Sequence, residues 1–231
     1  MTITLAIETS GRAGSIALRA NGSLLADVQL AATGRRHART LVPEIRDLLK
    51  SHGMKPHDVG LLAVSIGPGS FTGLRVGAVC AKTFAYAVGC PLIGVDTFLA
   101  VAAAQSEANR VWVIEDALRG DLCLGEYECR DGRWRNVTPP QLLPFEICRE
   151  KLTPDVPVTG PGVDQWGEEL ESLQIPLITP PELRIPQARW IALLGEQLVE
   201  QGERSDPWTL EPFYMRRSAA EEKADSAGAT S

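Results

Sequence analysis

The residues best placed to do chemistry form one run, Ser65-Ile66-Gly67-Pro68-Gly69-Ser70-Phe71-Thr72-Gly73-Leu74-Arg75-Val76-Gly77. The apolar stretch Leu61–Ile66 feeds a glycine-rich turn, which opens a helix rich in small residues. The first backbone N–H groups of a helix lack intrahelical partners and carry partial positive charge, so such a unit can hold an anion. The same glycines also let another backbone approach closely. The pattern, G-x-G-x-x-x-G, is one residue longer than the dinucleotide fingerprint, and it lacks the Lys-Ser/Thr ending of a P-loop. A phosphate cradle and a plain tight turn therefore both stay open. Beyond the loop, Gly73, Gly77, Ala81, Ala85 and Gly89 recur every fourth residue and draw a ridge without side-chain bulk along one helix face. That ridge suits close packing, either within a domain or at a subunit interface.

Other groups with chemical potential are sparse. Glu8-Thr9-Ser10-Gly11 ends the first apolar strand, where a carboxylate and hydroxyls can face a phosphate or its metal, or satisfy the turn's own backbone. Asp116 and Arg119 share a tight turn and can meet a ligand or each other. The histidines, His37, His52 and His57, offer no i, i+4 pair for a metal and read as surface residues. The five cysteines, Cys80, Cys90, Cys123, Cys129 and Cys148, contain no C-x-x-C pair. Their odd count, with no apparent signal peptide, predicts reduced thiols in a cytoplasmic protein. No spacing supports a Ser-His-Asp or Cys-His triad. Pro212-Phe213-Tyr214-Met215-Arg216-Arg217 pairs aromatics that can dock on the core with arginines left for solvent or an anionic partner.

Composition bounds the function. A chain of 231 residues with 44% hydrophobic residues is long enough for a substantial core. Its net charge of −6 opposes unaided nucleic-acid binding, which needs a basic face. The longest apolar helix, Leu74–Val88, carries Arg75 and Lys82, against a membrane span.

The elements that must position these groups follow from periodicity. Thr2–Thr9 alternates as a strand, and Ser15–Ala20 and Ser23–Leu30 flank the hairpin signal Asn21-Gly22. Leu41, Val42, Ile45, Leu48 and Leu49 fall on one helical face, and Pro43 predicts a helix start near Arg39 or Thr40. The Leu61–Ile66 strand, the glycine loop with its helix, a Leu92–Val95 strand and a helix from Thr97 complete a β-β-β-α-β-α-β-α half. The second half repeats the plan. It has strands at Val111–Ile114, Leu122–Glu128 and Arg133–Val137 around Asp131-Gly132, and a helix at Phe145–Leu152. A Val156–Thr159 strand then meets a second Gly-Pro-Gly at Gly160–Gly162, followed by a helix from about Asp164, a strand near Ile175–Ile178 and a helix over Gln187–Gln201. This is an internally duplicated α/β fold. Lys223–Ser231 reads as a disordered tail.

Leu5-Ala6-Ile7-Glu8-Thr9-Ser10, the Gly67–Gly77 run and Pro212-Phe213-Tyr214-Met215-Arg216 together resemble the TsaB family, also called YeaZ, over nearly the whole chain. His37 followed by Leu41-Val42-Pro43 is similar to that family's first helix. The resemblance implies an actin-like (ASKHA) duplicated fold, with two lobes each holding a mixed sheet flanked by helices. The lobes are expected over residues 1–106 and 107–211, with a C-terminal segment 212–231 partly docked. It also implies a non-catalytic partner and activator of a TsaD-like transferase in forming threonylcarbamoyladenosine next to the tRNA anticodon. A TsaE-like ATPase would join them, and tRNA would be met only through the complex. A homodimer of the isolated chain, no metal and no cofactor are further expectations.

The family pairs through N-terminal-lobe helices, so the expected interface comprises Gly69, Ser70, Phe71, Thr72, Gly73, Arg75, Gly77, Ala81 and His37, with the small-residue ridge at its centre. Gly77→Leu is then expected to break the complex and leave the monomer folded. Glu8, Thr9, Ser10, Gly67 and Gly69 are the nucleotide-proximal candidates, and a small ATPase or phosphotransferase of the same fold is the alternative reading. Two departures stand out. Glu8 replaces the usual Asp. The family's D-A-R-x-G-E-V-Y reads here Asp116-Ala117-Leu118-Arg119-Gly120-Asp121-Leu122-Cys123, with the arginine one place late. The His-x-x-x-His motif of the catalytic relative is absent, which counts against a metallopeptidase.

Overall fold

The computed structural model describes residues 2–33, 37–178 and 180–216. The first lobe is a five-stranded sheet in the order β3-β2-β1-β4-β5. It comprises β1 (Ile3–Glu8), β2 (Ala13–Ala20), β3 (Ser23–Thr33), β4 (Leu61–Ser65) and β5 (Leu92–Val95), with helices α1 (His37–Ser51), α2 (Phe71–Val88) and α3 (Thr97–Ala103). The second lobe holds β6 (Arg110–Asp116), β7 (Asp121–Arg130), β8 (Arg133–Pro144) and β9 (Val158–Thr159) in the order β8-β7-β6-β9. Its helices are α4 (Phe145–Lys151), α5 (Val163–Ser172) and α6 (Pro181–Arg184), and α7 (Ala188–Glu200) follows. Leu177 adds a parallel bridge to Val158, where β5 lies in the first sheet. Both sheets thus run antiparallel, antiparallel, parallel, parallel. The chain is an actin-like duplicated α/β fold.

Local chemistry explains the elements. Asn21-Gly22 (φ 51 and 77) and Asp131-Gly132 (φ 54 and 72) take the left-handed pair that a two-residue hairpin requires. β1 alternates Leu5 and Ile7 toward α1 and α2 with Ala6 toward α7, and β4 does the same with Leu62 and Val64 against Leu61 and Ala63. The α7 side is lined with small residues: Ala6, Ala17 and Ala63 meet Ala188, Ile191 and Ala192. A Cβ on Gly195 would come within 2.7 Å of the Ala63 Cβ, so this helix lies unusually close to the sheet. Chain order groups α7 with the second half, but it packs on the first sheet, against β1, β2, β4 and β5.

Several boundaries differ from the sequence expectation. The strand β8 runs to Pro144 instead of Val137, despite Pro139 and Pro140; as an edge strand it tolerates missing N–H groups. The segment Ile175–Ile178 forms one bridge and no strand, and β9 starts at Val158. Helix α1 begins at His37, so Pro43 lies inside it, on the exposed face where water can replace the lost hydrogen bond. The side chain of His37, Arg217 and the 223–231 tail lie outside the described residues. Among the described residues, no helix is long and apolar enough to cross a membrane.

Candidate functional site

The glycine loop crosses the end of β1, and the chain itself fills it. Thr9 Oγ1 donates to the Gly73 carbonyl at 2.8 Å, and Ser70 N donates to the Ser10 carbonyl at 2.8 Å. Gly67 N donates to Thr97 Oγ1 at 3.1 Å, and Phe213 N donates to the Ile66 carbonyl at 2.6 Å. Ser70 caps α2 by accepting from Gly73 N at 3.4 Å. A Cβ on Gly69 would sit 2.6 Å from Ser10 Cβ. One on Gly73 or Gly67 would overlap the carbonyl oxygen of Thr9 or Phe213, and one on Gly77 would overlap Thr9 Oγ1. These glycines serve the close approach of chain to chain.

The nucleotide-proximal candidates turn inward. Glu8, Thr9 and Ser10 are buried. Glu8 Oε1 accepts from Ser10 N and Ser10 Oγ, each at 2.5 Å, and from Gly11 N at 3.3 Å, while its Oε2 is buried without a hydrogen-bond partner. Burial pushes the Glu8 carboxyl up, against the lowering effect of those hydrogen bonds. Three of the loop donors that a phosphate could use, at Gly67, Ser70 and Gly73, are already used within the chain.

The second lobe repeats the crossing: a Cβ on Gly160 would overlap the Ile114 carbonyl, and Gly162 N donates to that carbonyl at 3.0 Å. Beside it, burial pushes the Glu115 carboxyl up to about 7, helped by the negative charges of Asp116 and Glu8 and opposed by Arg12. Asp116 Oδ1 accepts from Leu118 N at 3.2 Å and Trp166 Nε1 at 3.3 Å. The displaced Arg119 is exposed, at φ 60, in a turn whose carbonyls at Ala117 and Leu118 accept from Arg216 at 2.9 and 3.1 Å. His52 and His57 are exposed, and among the described residues no group of three His, Cys, Asp or Glu could hold a metal. Cys123 and Cys148 are buried thiols. Burial raises both, Cys148 to about 11, which leaves them poor nucleophiles.

The small-residue ridge also faces inward. Gly73, Gly77, Ala81 and Ala85 are buried against the end of β1 and the first sheet, so the expectation that they form an exposed subunit face is corrected. Their lack of bulk lets α2 approach Thr9. The outer face of α2 is instead Arg75, Val79, Thr83 and Tyr86. With α1 it bounds an apolar groove of about 670 Å³, lined by Leu41, Val42, Ile45, Val76, Val79 and Phe84, with Arg46 and Arg75 among its cations. Val42 and Val79 are each 63% exposed and Tyr86 73%, the last edge-on to the equally exposed Trp208 at 5.6 Å. Val42 therefore leaves the core face on which periodicity placed it. Ser70, Thr72 and Arg75 are exposed at the start of α2, and Phe71 is half-buried. The signal that would have found this groove is that Val79 and Tyr86 stand on the outer face of α2 in addition to its apolar inner face, which a helix covered on one side does not need.

The comparisons accord with this geometry. The family model described as TsaD, tRNA N6-adenosine threonylcarbamoyltransferase, matches residues 29–157. The chain is 30% identical to the tRNA threonylcarbamoyladenosine biosynthesis protein TsaB of Escherichia coli (strain K12), covering 95% of this chain and 96% of that protein. It is 30% identical to the TsaB of Bacillus subtilis (strain 168), covering 96% and 97%. The solved structure of YeaZ from Pseudomonas aeruginosa matches with a TM-score of 0.78 at 27% identity, covering 93% of this chain and all of that one. The chain belongs to the TsaB (YeaZ) family.

Proposed function

From that membership, we propose that the chain takes part in making tRNA threonylcarbamoyladenosine as a non-catalytic subunit. It would bind a TsaD-like transferase and make it competent for modification next to the anticodon. The observation that carries the reading is the uncovered apolar groove between α1 and α2, on a chain whose loop amides at Gly67, Ser70 and Gly73 already bond internally. Exposed apolar faces rimmed by polar groups suit protein docking. Val42 and Val79 would supply the anchors in the groove, with Tyr86 further along the outer face of α2 and Ser70, Phe71, Thr72 and Arg75 at its start. The buried Gly73, Gly77 and Ala81 would shape α2 from beneath.

In the absence of the transferase, the same face is suited to a second copy, giving a two-fold homodimer. A TsaE-like ATPase would join the assembled pair. With a net charge of −6, the chain would meet tRNA only through the complex. A role inside a tRNA-modifying complex fits a cytoplasmic location.

The test is titration of the purified chain with the TsaD-like protein of the same organism, by calorimetry, for the wild type and for Val79→Glu. Binding by the wild type and loss in the variant support the reading; equal binding by both sinks the groove assignment. A parallel titration with ATP and magnesium addresses the phosphotransferase alternative. Ligand at 100 times its dissociation constant raises stability by about 2.7 kcal/mol. A thermal shift of that size with turnover by the isolated chain would replace the scaffold reading.

A further inference from the structure

We propose that residues 213–216 form a latch between the two lobes, and that Arg75 ties this latch to the α1–α2 groove. Four consecutive residues reach both lobes. Phe213 N donates to the Ile66 carbonyl at 2.6 Å, where Gly67 leaves room for the Phe213 carbonyl. Tyr214 packs on Phe71 with ring centroids 4.7 Å apart. Both contacts belong to the first lobe. Met215 then packs against the cluster between the lobes that holds Phe98 of α3 and Val113 of β6. Arg216 ends the span on the second lobe: Nε donates to the Ala117 carbonyl at 2.9 Å, and Nη2 donates to the Leu118 carbonyl at 3.1 Å and to the Asp121 carboxylate.

The turn it grips closes on its own bonds, Ala117 N to the Asp121 carbonyl at 3.0 Å and Asp121 N to the Leu118 carbonyl at 3.2 Å, but its backbone is strained. Leu118, Arg119 and Gly120 stand in the left-handed region at φ 63, 60 and 83, and the two non-glycine residues among them are unfavourable there. A guanidinium bonded to two of the turn's carbonyls and to the carboxylate beyond it holds that geometry by charge-assisted hydrogen bonds. At the other end, the Arg75 guanidinium lies 4.1 Å from the Phe71 ring centroid and 5.7 Å from that of Tyr214, and Nε donates to the Tyr214 hydroxyl at 3.3 Å. Arg75 also lines the groove. An occupant of the groove that draws Arg75 away from Tyr214 therefore loosens the strap and, through Arg216, the relation of the lobes. The latch itself is a property of the free chain and stands or falls independently of the docking reading.

Hydrogen exchange on the full chain tests it. The reporters are the amides of Ala117 and Asp121, which close the second-lobe turn on Asp121 and Leu118 carbonyls, and that of Phe213, on the first lobe. Arg216→Ala is expected to speed exchange at all three by about tenfold, while the β1 and β4 amides keep their protection. Arg75→Ala removes an exposed side chain that touches neither Arg216 nor the turn. It is expected to speed Ala117 and Asp121 severalfold, and Tyr214→Phe to do so less. Combining Arg75→Ala with Arg216→Ala should add little to Arg216→Ala alone. Wild-type rates at Ala117 and Asp121 in Arg75→Ala, with an effect only in Arg216→Ala, make Arg216 a local turn cap and overturn the latch. Unchanged Phe213 exchange in Arg216→Ala overturns it as well.

Discussion

Two faces of one helix can be told apart by paired substitutions on α2. A Cβ on Gly73 would fall well inside 3.0 Å of the Thr9 carbonyl oxygen, a separation real Cβ atoms do not show, and the obstacle is backbone. Overpacking of this kind costs about 1–3 kcal/mol, and rigid backbone places Gly73→Ala at the upper end. Displacing α2 also strains the Thr9 Oγ1 to Gly73 hydrogen bond, worth about 1 kcal/mol. Replacing a helical glycine by alanine returns about 1 kcal/mol. The net loss is about 2–3 kcal/mol, a melting temperature lower by roughly 4–12 °C for a chain of this size. Val79→Glu lies on the opposite face at 63% exposure, and its effect on the free chain should stay within about 0.5 kcal/mol. In a complex, burying that carboxylate in the apolar groove costs more than the nearby Arg46 and Arg75 return, and a net loss of about 3 kcal/mol is about a hundredfold in affinity. The assay is differential scanning fluorimetry beside calorimetric titration with the TsaD-like partner. The reasoning is refuted if Gly73→Ala melts like the wild type and abolishes binding, or if Val79→Glu binds unchanged.

Further expectations follow from the buried carboxyls. Asp96 is pushed up to about 6 by burial and Glu115 to about 7, above their ordinary 3.8 and 4.5. Folded chains therefore hold protons that unfolded chains have released between about pH 4 and 7, so stability falls as pH rises through that window. For Glu115 the ceiling is about 3 kcal/mol at 1.36 kcal/mol per pH unit, and partial exposure reduces it to roughly 1–2. Glu115→Gln should raise stability by that amount at pH 7.5 and flatten the profile in urea titrations; a wild type more stable at pH 7.5 than at pH 5 would contradict this. Tyr127→Phe removes the hydroxyl that donates to Asp96 Oδ2 at 2.6 Å across the lobes. Thermal melts should show a loss of about 1–3 kcal/mol, and an unchanged melt would show that this bond does not help join the lobes.

The legible parts of the fold were those written in local chemistry. Asn21-Gly22 and Asp131-Gly132 marked both hairpins because few residue pairs accept two left-handed positions. The repeat of hairpin, parallel strand and Gly-Pro-Gly revealed the duplication, since Gly69 and Gly162 perform similar crossings at Ser10 and at the end of β6. The direction of α2 was not legible, because Gly73 and Gly77 look alike whether they face a sheet or a partner, and Val76, Val79 and Tyr86 are apolar on the other side. The attachment of α7 to the first sheet is a long-range event, visible only in hindsight through Ala6, Ala17 and Ala63. The bonds of Arg216 join residues almost a hundred positions apart, which no local pattern encodes. At Glu8-Thr9-Ser10 the residue types left a ligand and a self-satisfied turn both open, and the structure folds the Glu8 carboxylate onto Ser10 and Gly11.

The central claim is tested most directly by reconstitution. Threonylcarbamoyl transfer to tRNA would be measured with the TsaD-like and TsaE-like proteins and threonylcarbamoyl-adenylate, with and without this chain, and with Val79→Glu in its place. The account predicts transfer that requires the chain, an inert chain on its own, and failure of Val79→Glu to replace it. Transfer at the full rate without the chain, with no complex formed, would contradict it.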